Sequence, residues 1–70
     1  MDNNVPFFLN GQKYYSKTQI NILDLVSYFN YNDGLLVLEH NNLICNKKTW
    51  DKTYIKNNDK IEIVTIVGGG

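Results

Sequence analysis

The chain closes with Ile66-Val67-Gly68-Gly69-Gly70. None of the three glycines has a side chain that can react, so the group they offer is the main chain's own α-carboxylate on Gly70. Glycine loses more freedom on ordering than any other residue and packs nothing. Three in succession at a terminus are therefore expected to form a flexible, extended tail over 67–70. Such a tail suits one task, the threading of a carboxylate into a narrow active site on another protein. Without β-carbons the backbone passes a tight channel and approaches a bound nucleotide closely. Each extended residue spans about 3.3–3.6 Å, so Val67 and Gly68 set the reach. Gly69, next to the reacting group, is where a β-carbon would clash. The plainer alternative is a frayed or remnant end with no task.

The other chemically capable residues are sparse. Cys45 is the single cysteine, which excludes an intrachain disulfide framework and a multi-cysteine zinc site. With His40 the one histidine, no metal cluster is expected. Cys45 reads as a small apolar residue or an incidental surface thiol rather than a sulfur-handling group. His40 has no carboxylate or nucleophile at a recognisable spacing and reads as a strand or turn residue. Trp50 reads as packing. Asp59 and Glu62 lie close to the tail in sequence, where they either meet basic groups of a partner or line a solvated strand edge. No constellation of acid, base and nucleophile exists, so the chain is not expected to be an enzyme.

Seventy residues make one small domain, expected to span 1–70, and such a chain buries only about 60% of its unfolded surface. The net charge is zero, with no basic run, so nucleic acid is not an expected partner. The longest apolar run, Leu35 to Leu38, is far too short to cross a membrane. Met1-Asp2-Asn3-Asn4 lacks the basic start of a signal peptide, and a soluble, intracellular protein is expected. All seven basic residues are lysine, and alanine and arginine are absent. Asn, Ile, Tyr and Lys, which AT-rich codons encode, are abundant. That bias points to an AT-rich genome, such as that of a plastid, an endosymbiont or a low-GC bacterium, and hence to a plastid stroma or a bacterial cytoplasm.

The elements that must hold the tail follow from the patterning. Val5 to Leu9 reads as a strand, with Pro6 requiring an edge or a strand start because it lacks an N–H. Asn10-Gly11 is a strong two-residue hairpin turn, and Gln12 to Ser16 returns as a second strand. Of Phe7-Phe8 and Tyr14-Tyr15, alternation sends one of each pair under the helix and the other to an open face, leaving an apolar patch suited to a partner. Asn21 caps the one good helix, Asp24 favours its positive end, and Ile20 with Leu25 is spaced as a hydrophobic staple. Ile22, Leu25, Val26 and Phe29 form its buried face, and Asn30 to Gly34 stops it. Leu35 to Glu39 reads as a third strand, apolar enough to be central. Asn41-Asn42 is a turn, Leu43 to Cys45 a short fourth strand, and Lys47 to Lys52 a turn or short helical piece. Asn57-Asn58-Asp59 is a turn and Lys60 to Thr65 an alternating last strand. One helix across one mixed sheet is the economical way to bury these faces.

Several stretches resemble a known family. Leu9-Asn10-Gly11, Val37-Leu38-Glu39, the lone Trp50, and Asp59-Lys60-Ile61-Glu62-Ile63-Val64-Thr65 running into Val67-Gly68-Gly69-Gly70 are similar to the sulfur carrier proteins of thiamine biosynthesis, the ThiS family. The resemblance covers residues 5 to 70, and the last stretch is its most specific part. Family members usually carry Pro and Arg near Cys45, Asn46 and Lys47, and often Gly at Asn58, where asparagine also tolerates positive φ.

The resemblance implies an α+β fold of the ubiquitin-like β-grasp type, with one mixed four- to five-stranded sheet packed on one main helix. It implies that Gly70 is adenylated and then converted to a thiocarboxylate, with Val67, Gly68 and Gly69 threading the tail. The implied partners are a ThiF-type adenylating enzyme, which uses ATP and magnesium, a cysteine desulfurase or other persulfide donor, and thiazole synthase. The carrier itself binds no cofactor or metal. Three alternatives stay open: the small subunit of molybdopterin synthase, which shares the fold and tail chemistry, a ubiquitin-like modifier, and an interaction module with an inert tail.

Overall fold

A computed structural model describes residues 4–29 and 36–65. The strands are β1 (Val5–Leu9), β2 (Gln12–Ser16), β3 (Leu36–His40), β4 (Leu43–Ile44) and β5 (Asp59–Thr65), with one α-helix, α1 (Ile22–Tyr28), and a short 3-10 helix, Lys47–Lys52. They form one mixed sheet in the order β2-β1-β5-β3-β4. The C-terminal strand is therefore the middle one. It runs parallel to β1, with Phe7, Phe8 and Leu9 beside Asp59, Lys60 and Ile61, and antiparallel to β3 from Leu36↔Thr65 to His40↔Ile61.

Local chemistry explains the turns. Asn10 (φ 50) and Gly11 (φ 82) both take the left-handed backbone that the β1–β2 hairpin requires, and Asn41 (φ 53) and Asn42 (φ 71) do the same between β3 and β4. Asparagine and glycine are the residues that tolerate this region at little cost. Asn58 also has positive φ, at 66. The helix begins as its sequence dictates. Asn21 accepts the Asp24 N–H at 2.7 Å, and Asp24 Oδ2 accepts the Asn21 N–H at 3.2 Å, a reciprocal capping box. Ile20 packs against the core just before this cap.

One face of the sheet closes on α1. Phe7, Leu9, Leu38, Ile61 and Ile63 from the strands meet Ile22, Leu25 and Val26 from the helix, with Trp50 and Ile55 sealing the end. Phe29, expected in the helix's buried face, is half-buried and packs at the rim. Tyr14 stacks on Phe7 (5.9 Å between ring centroids) and meets Phe29 edge-on (5.5 Å). Phe7 and Tyr14 are thus the members of the two aromatic pairs that face the helix.

The structure corrects three expectations and adds one core residue. Pro6 is neither on an edge nor first in its strand: it is the second residue of β1, an interior strand. Its missing N–H is tolerated because the parallel register with β5 starts one residue later, at Phe7, while its carbonyl accepts the Asn58 N–H at 2.6 Å. The third strand gains His40, and its expected first residue, Leu35, lies outside the described residues, as does the expected helix stop at Asn30 to Gly34. The last strand begins at Asp59 rather than Lys60. Ile55, which belongs to no periodic run, is fully buried. It arrives there because Thr53–Ile55 is stitched to the start of the helix: Ile22 N–H donates to Thr53 and Ile55 N–H to Ile20, both at 2.9 Å.

Asn10 does more than turn the chain. Its Oδ1 accepts the N–H of Ile63 at 2.8 Å, and its own N–H donates to Ile61. The residue thus holds β5 where the parallel register with β1 has ended. Asn10→Gly keeps the backbone geometry and loses only the side-chain bond, which is expected to cost about 0.5–1.5 kcal/mol. Asn10→Val adds a β-branched residue at positive φ and is expected to cost about 1–3 kcal/mol more. Urea midpoints of the two variants against the parent check this order.

Candidate functional site

In sequence the tail follows β5. This strand pairs with β1 through Ile61, is held by Asn10 at Ile63, and remains paired with β3 up to Thr65. Residue 66 therefore follows directly from the end of the middle strand. The sequence-derived site residues Val67, Gly68, Gly69 and Gly70 lie outside the described residues. What the described residues define is the platform from which the tail departs.

The platform has a covered face and an open one. Along β5 the buried side chains are Asp59, Ile61 and Ile63, so Lys60, Glu62 and Val64 point the other way. They share the open face with Phe8 and Tyr15 from the hairpin, Val37 and Glu39 from β3, and Ile44 from β4, by strand alternation and register. Tyr15, Val37, Ile44 and Val64 are exposed apolar residues. Val37 and Val64 stand opposite one another one step before the tail root. These side chains make the open face partly apolar. Lys13 covers part of it, its Nζ 5.9 Å from the Phe8 ring centroid and 5.3 Å from that of Tyr15, within cation–π range. The second members of the two aromatic pairs thus do reach the open face.

Asp59 departs from its sequence reading. It is not a solvated edge residue, and it lies at the opposite end of β5 from Thr65, after which the tail follows in sequence. It starts β5, so Thr65 lies at the far end of a seven-residue strand, roughly 20 Å away at about 3.3 Å per residue. It is also buried. His40 Nε2 meets its Oδ2 at 2.7 Å, the Lys56 N–H donates to the same oxygen at 2.8 Å, and Asn41 Nδ2 donates to Oδ1 at 3.0 Å. Asn41 Oδ1 in turn accepts the Lys60 N–H at 2.8 Å. One carboxylate thus ties the β3–β4 turn and the 56–58 turn to the root of the middle strand. Sequence reasoning missed it because His40 and Asp59 are nineteen positions apart and share no periodic pattern.

The remaining candidates are structural. Trp50 is buried and donates its indole N–H to the Cys45 carbonyl at 3.0 Å. Cys45 is half-buried against the core, its Sγ 3.9 Å from Thr49 Oγ1 and 4.0 Å from Thr53 Oγ1, contacts too long to be more than weak. Glu62 lies on the open face, directly opposite Glu39. Among the described residues no group of three His, Cys, Asp or Glu side chains is placed to hold a metal ion, and no helix is long and apolar enough to cross a membrane.

A mixed sheet that grips one helix and carries its C-terminal strand in the middle is the ubiquitin-like β-grasp arrangement. The structure of the thiamine biosynthesis protein (ThiS) from Geobacter metallireducens shares this fold with a TM-score of 0.81 at 22% identity, over 94% of this chain and 100% of that one. A model of the ThiS family matches residues 7–70. The uncharacterized protein ycf40 of Trieres chinensis is 67% identical over 64 residues, 91% of this chain and 88% of that protein. The uncharacterized protein ycf40 of Porphyra purpurea is 30% identical over 70 residues, 100% of this chain and 99% of that protein. The chain belongs to the ThiS family, a family of ubiquitin-like sulfur carriers.

Asp59 gives this site a pH dependence. Burial pushes its carboxyl up, but the hydrogen bonds from Asn41, His40 and the Lys56 N–H together outweigh burial and hold it below the ordinary aspartate value. Its folded pKa is therefore depressed relative to the unfolded chain. The stability it contributes is present above the unfolded value of about 3.9 and is lost as the pH falls through the folded value. Urea midpoints measured from about pH 6 down to about pH 2 should fall in this acid range. Asp59→Asn should be less stable near neutrality and show a flatter acid limb. An acid limb unchanged by the substitution would contradict this role.

Proposed function

We propose that this protein carries sulfur for thiazole formation in thiamine biosynthesis, as a thiocarboxylate on Gly70. The single observation that carries the reading is Val67-Gly68-Gly69-Gly70 following the middle strand of a ThiS-family β-grasp sheet. A carboxylate is a poor electrophile because its departing oxygen is a poor leaving group. Attack of the Gly70 carboxylate on the α-phosphorus of ATP releases pyrophosphate and leaves an acyl-adenylate, from which AMP departs readily. A sulfur nucleophile then takes the place of AMP. Where that nucleophile is an enzyme persulfide, the product is an acyl disulfide, and a thiol must reduce its S–S bond to free the thiocarboxylate.

The chain supplies neither base nor metal nor nucleotide site to these steps and acts as a co-substrate rather than an enzyme. A ThiF-type enzyme supplies ATP and magnesium, a cysteine desulfurase or another persulfide donor supplies sulfur, and thiazole synthase receives it. The open face with Phe8, Val37, Ile44 and Val64, which borders the tail root, is the surface on which the activating enzyme would grip the carrier. The end Ile63-Val64-Thr65-Ile66-Val67 has no proline before its glycines, which favours thiazole synthesis over molybdopterin service. The AT-rich composition supports a plastid stroma or a bacterial cytoplasm.

Gly69→Trp tests the threading directly. The position follows Thr65, the last residue of β5, by four in sequence, so the urea midpoint should stay at the parent value, while carrier-dependent ATP–pyrophosphate exchange by a ThiF-type enzyme should be abolished. Normal exchange by the variant would overturn the reading. Among the named alternatives, an isopeptide-linked ladder in cells would favour a modifier. Unaltered service after a C-terminal extension would favour an inert tail.

A further inference from the structure

Lysine is concentrated in one stretch of this electrically neutral chain. Five of its seven lysines, Lys47, Lys48, Lys52, Lys56 and Lys60, fall within residues 47–60, against two acids, Asp51 and Asp59. Asp59 is already engaged by His40, Asn41 and the Lys56 N–H. Lys52 and Lys56 are exposed and line an open basin with Gln19, His40, Asn41 and Tyr54. Neither ammonium forms an ion pair with an acidic side chain among the described residues.

We propose that this basin is a docking surface for an acidic peptide segment of a partner protein. Charge complementarity selects the occupant: among the described residues neither ammonium is ion-paired, and the carboxylate that lines the basin, Asp59, is turned onto other donors. Size selects a segment rather than a single small anion. The basin encloses about 590 Å³ and is open to solvent, far more space than one phosphate or carboxylate fills. Two backbone N–H groups of its lining, those of Lys56 and Asn41, are already given to Asp59 and to the Lys60 carbonyl, so they are not offered to a small anion.

The placement has a consequence for handling the tail. The basin sits at the Asp59 end of β5 and the tail root at the Thr65 end, roughly 20 Å apart. A partner seated in the basin leaves both the open face and the tail accessible, so one protein holds the carrier while another acts on Gly70. The basin's charge does not depend on the carrier reading, and the test below never uses the tail's chemistry.

The test is an amide chemical-shift titration of the 15N-labelled full chain with a deca-glutamate peptide at low salt. Parallel arms use inorganic phosphate and a single-stranded oligonucleotide. The expected shifts are confined to Gln19, His40, Asn41 and the stretch from Lys52 to Asp59. They should vanish at about 1 M salt, where screening shortens to about 3 Å. Affinity should fall by about tenfold or more in the Lys52→Glu/Lys56→Glu double variant, the scale expected for losing close charge complementarity. It should hold in Lys13→Glu/Lys17→Glu, which makes the same change in net charge on β2 and beyond it. Four results would overturn the proposal: no shifts, equal losses in both double variants, the same shifts from phosphate at equal concentration, or tighter binding of the oligonucleotide. Both pairs of lysines are exposed, so the amide dispersion of each variant reports directly that it is folded.

Discussion

Everything that this chain can present depends on keeping β5 in the middle of the sheet. A C-terminal strand on an edge frays with the terminus it carries; a middle strand cannot leave without breaking pairing on both sides. Here the parallel neighbour is short. Its register with β5 covers three residue pairs, Phe7 to Leu9 against Asp59 to Ile61. The strand is therefore secured by side chains at both limits of that stretch. Asp59 draws donors from His40, Asn41 and Lys56 onto its first residue, and Asn10 accepts the N–H of Ile63 beyond the last pair. Ile61 and Ile63 then face the helix, and the alternation leaves Lys60, Glu62 and Val64 facing solvent. One strand thus supplies part of the core, the middle of the open face and the root of the tail.

Much of this was legible in the sequence because it is written in local signals. Asn10-Gly11 names its own hairpin, Asn21 with Asp24 names the start of the helix, and the alternation of Ile61 and Ile63 with Glu62 and Val64 names the last strand. Trp50 packs as expected. What was not legible is built from residues far apart in the chain. The Asp59 cluster joins three segments, and none of its members sits in a pattern that points to the others. Ile55 is a core residue flanked by exposed Tyr54 and Lys56. Its burial follows from backbone bonds between 53–55 and the start of the helix, which no hydrophobic period encodes. The proline rule placed Pro6 at an edge or a strand start because it counts a missing donor; it could not count a parallel register that begins one residue later.

Function divides along the same line. The chemistry proposed for Gly70 is read from residues that carry no side chains, and it needs the fold only as a handle. The handle offers two surfaces of different character. The open face mixes apolar side chains with Lys60, Glu62 and Glu39 and extends to Val37 and Val64 beside the end of β5. The lysine-lined basin is polar, lies at the opposite end of β5, and can be occupied without obstructing either. A carrier that must pass between an activating enzyme and a sulfur acceptor gains from such a separation, because recognition and reaction then use different parts of a very small molecule.

The central claim is that the Gly70 carboxylate is exchanged for a thiocarboxylate. Intact-mass spectrometry tests it most directly, on the pure protein incubated with ATP, magnesium, a ThiF-type enzyme, a cysteine desulfurase and cysteine. The expected result is a mass gain equal to the exchange of one oxygen for one sulfur, localised by fragmentation to Gly70 and reversed when thiazole synthase and its substrates are added. An unchanged mass, beside a control carrier that is converted in the same mixture, would contradict it.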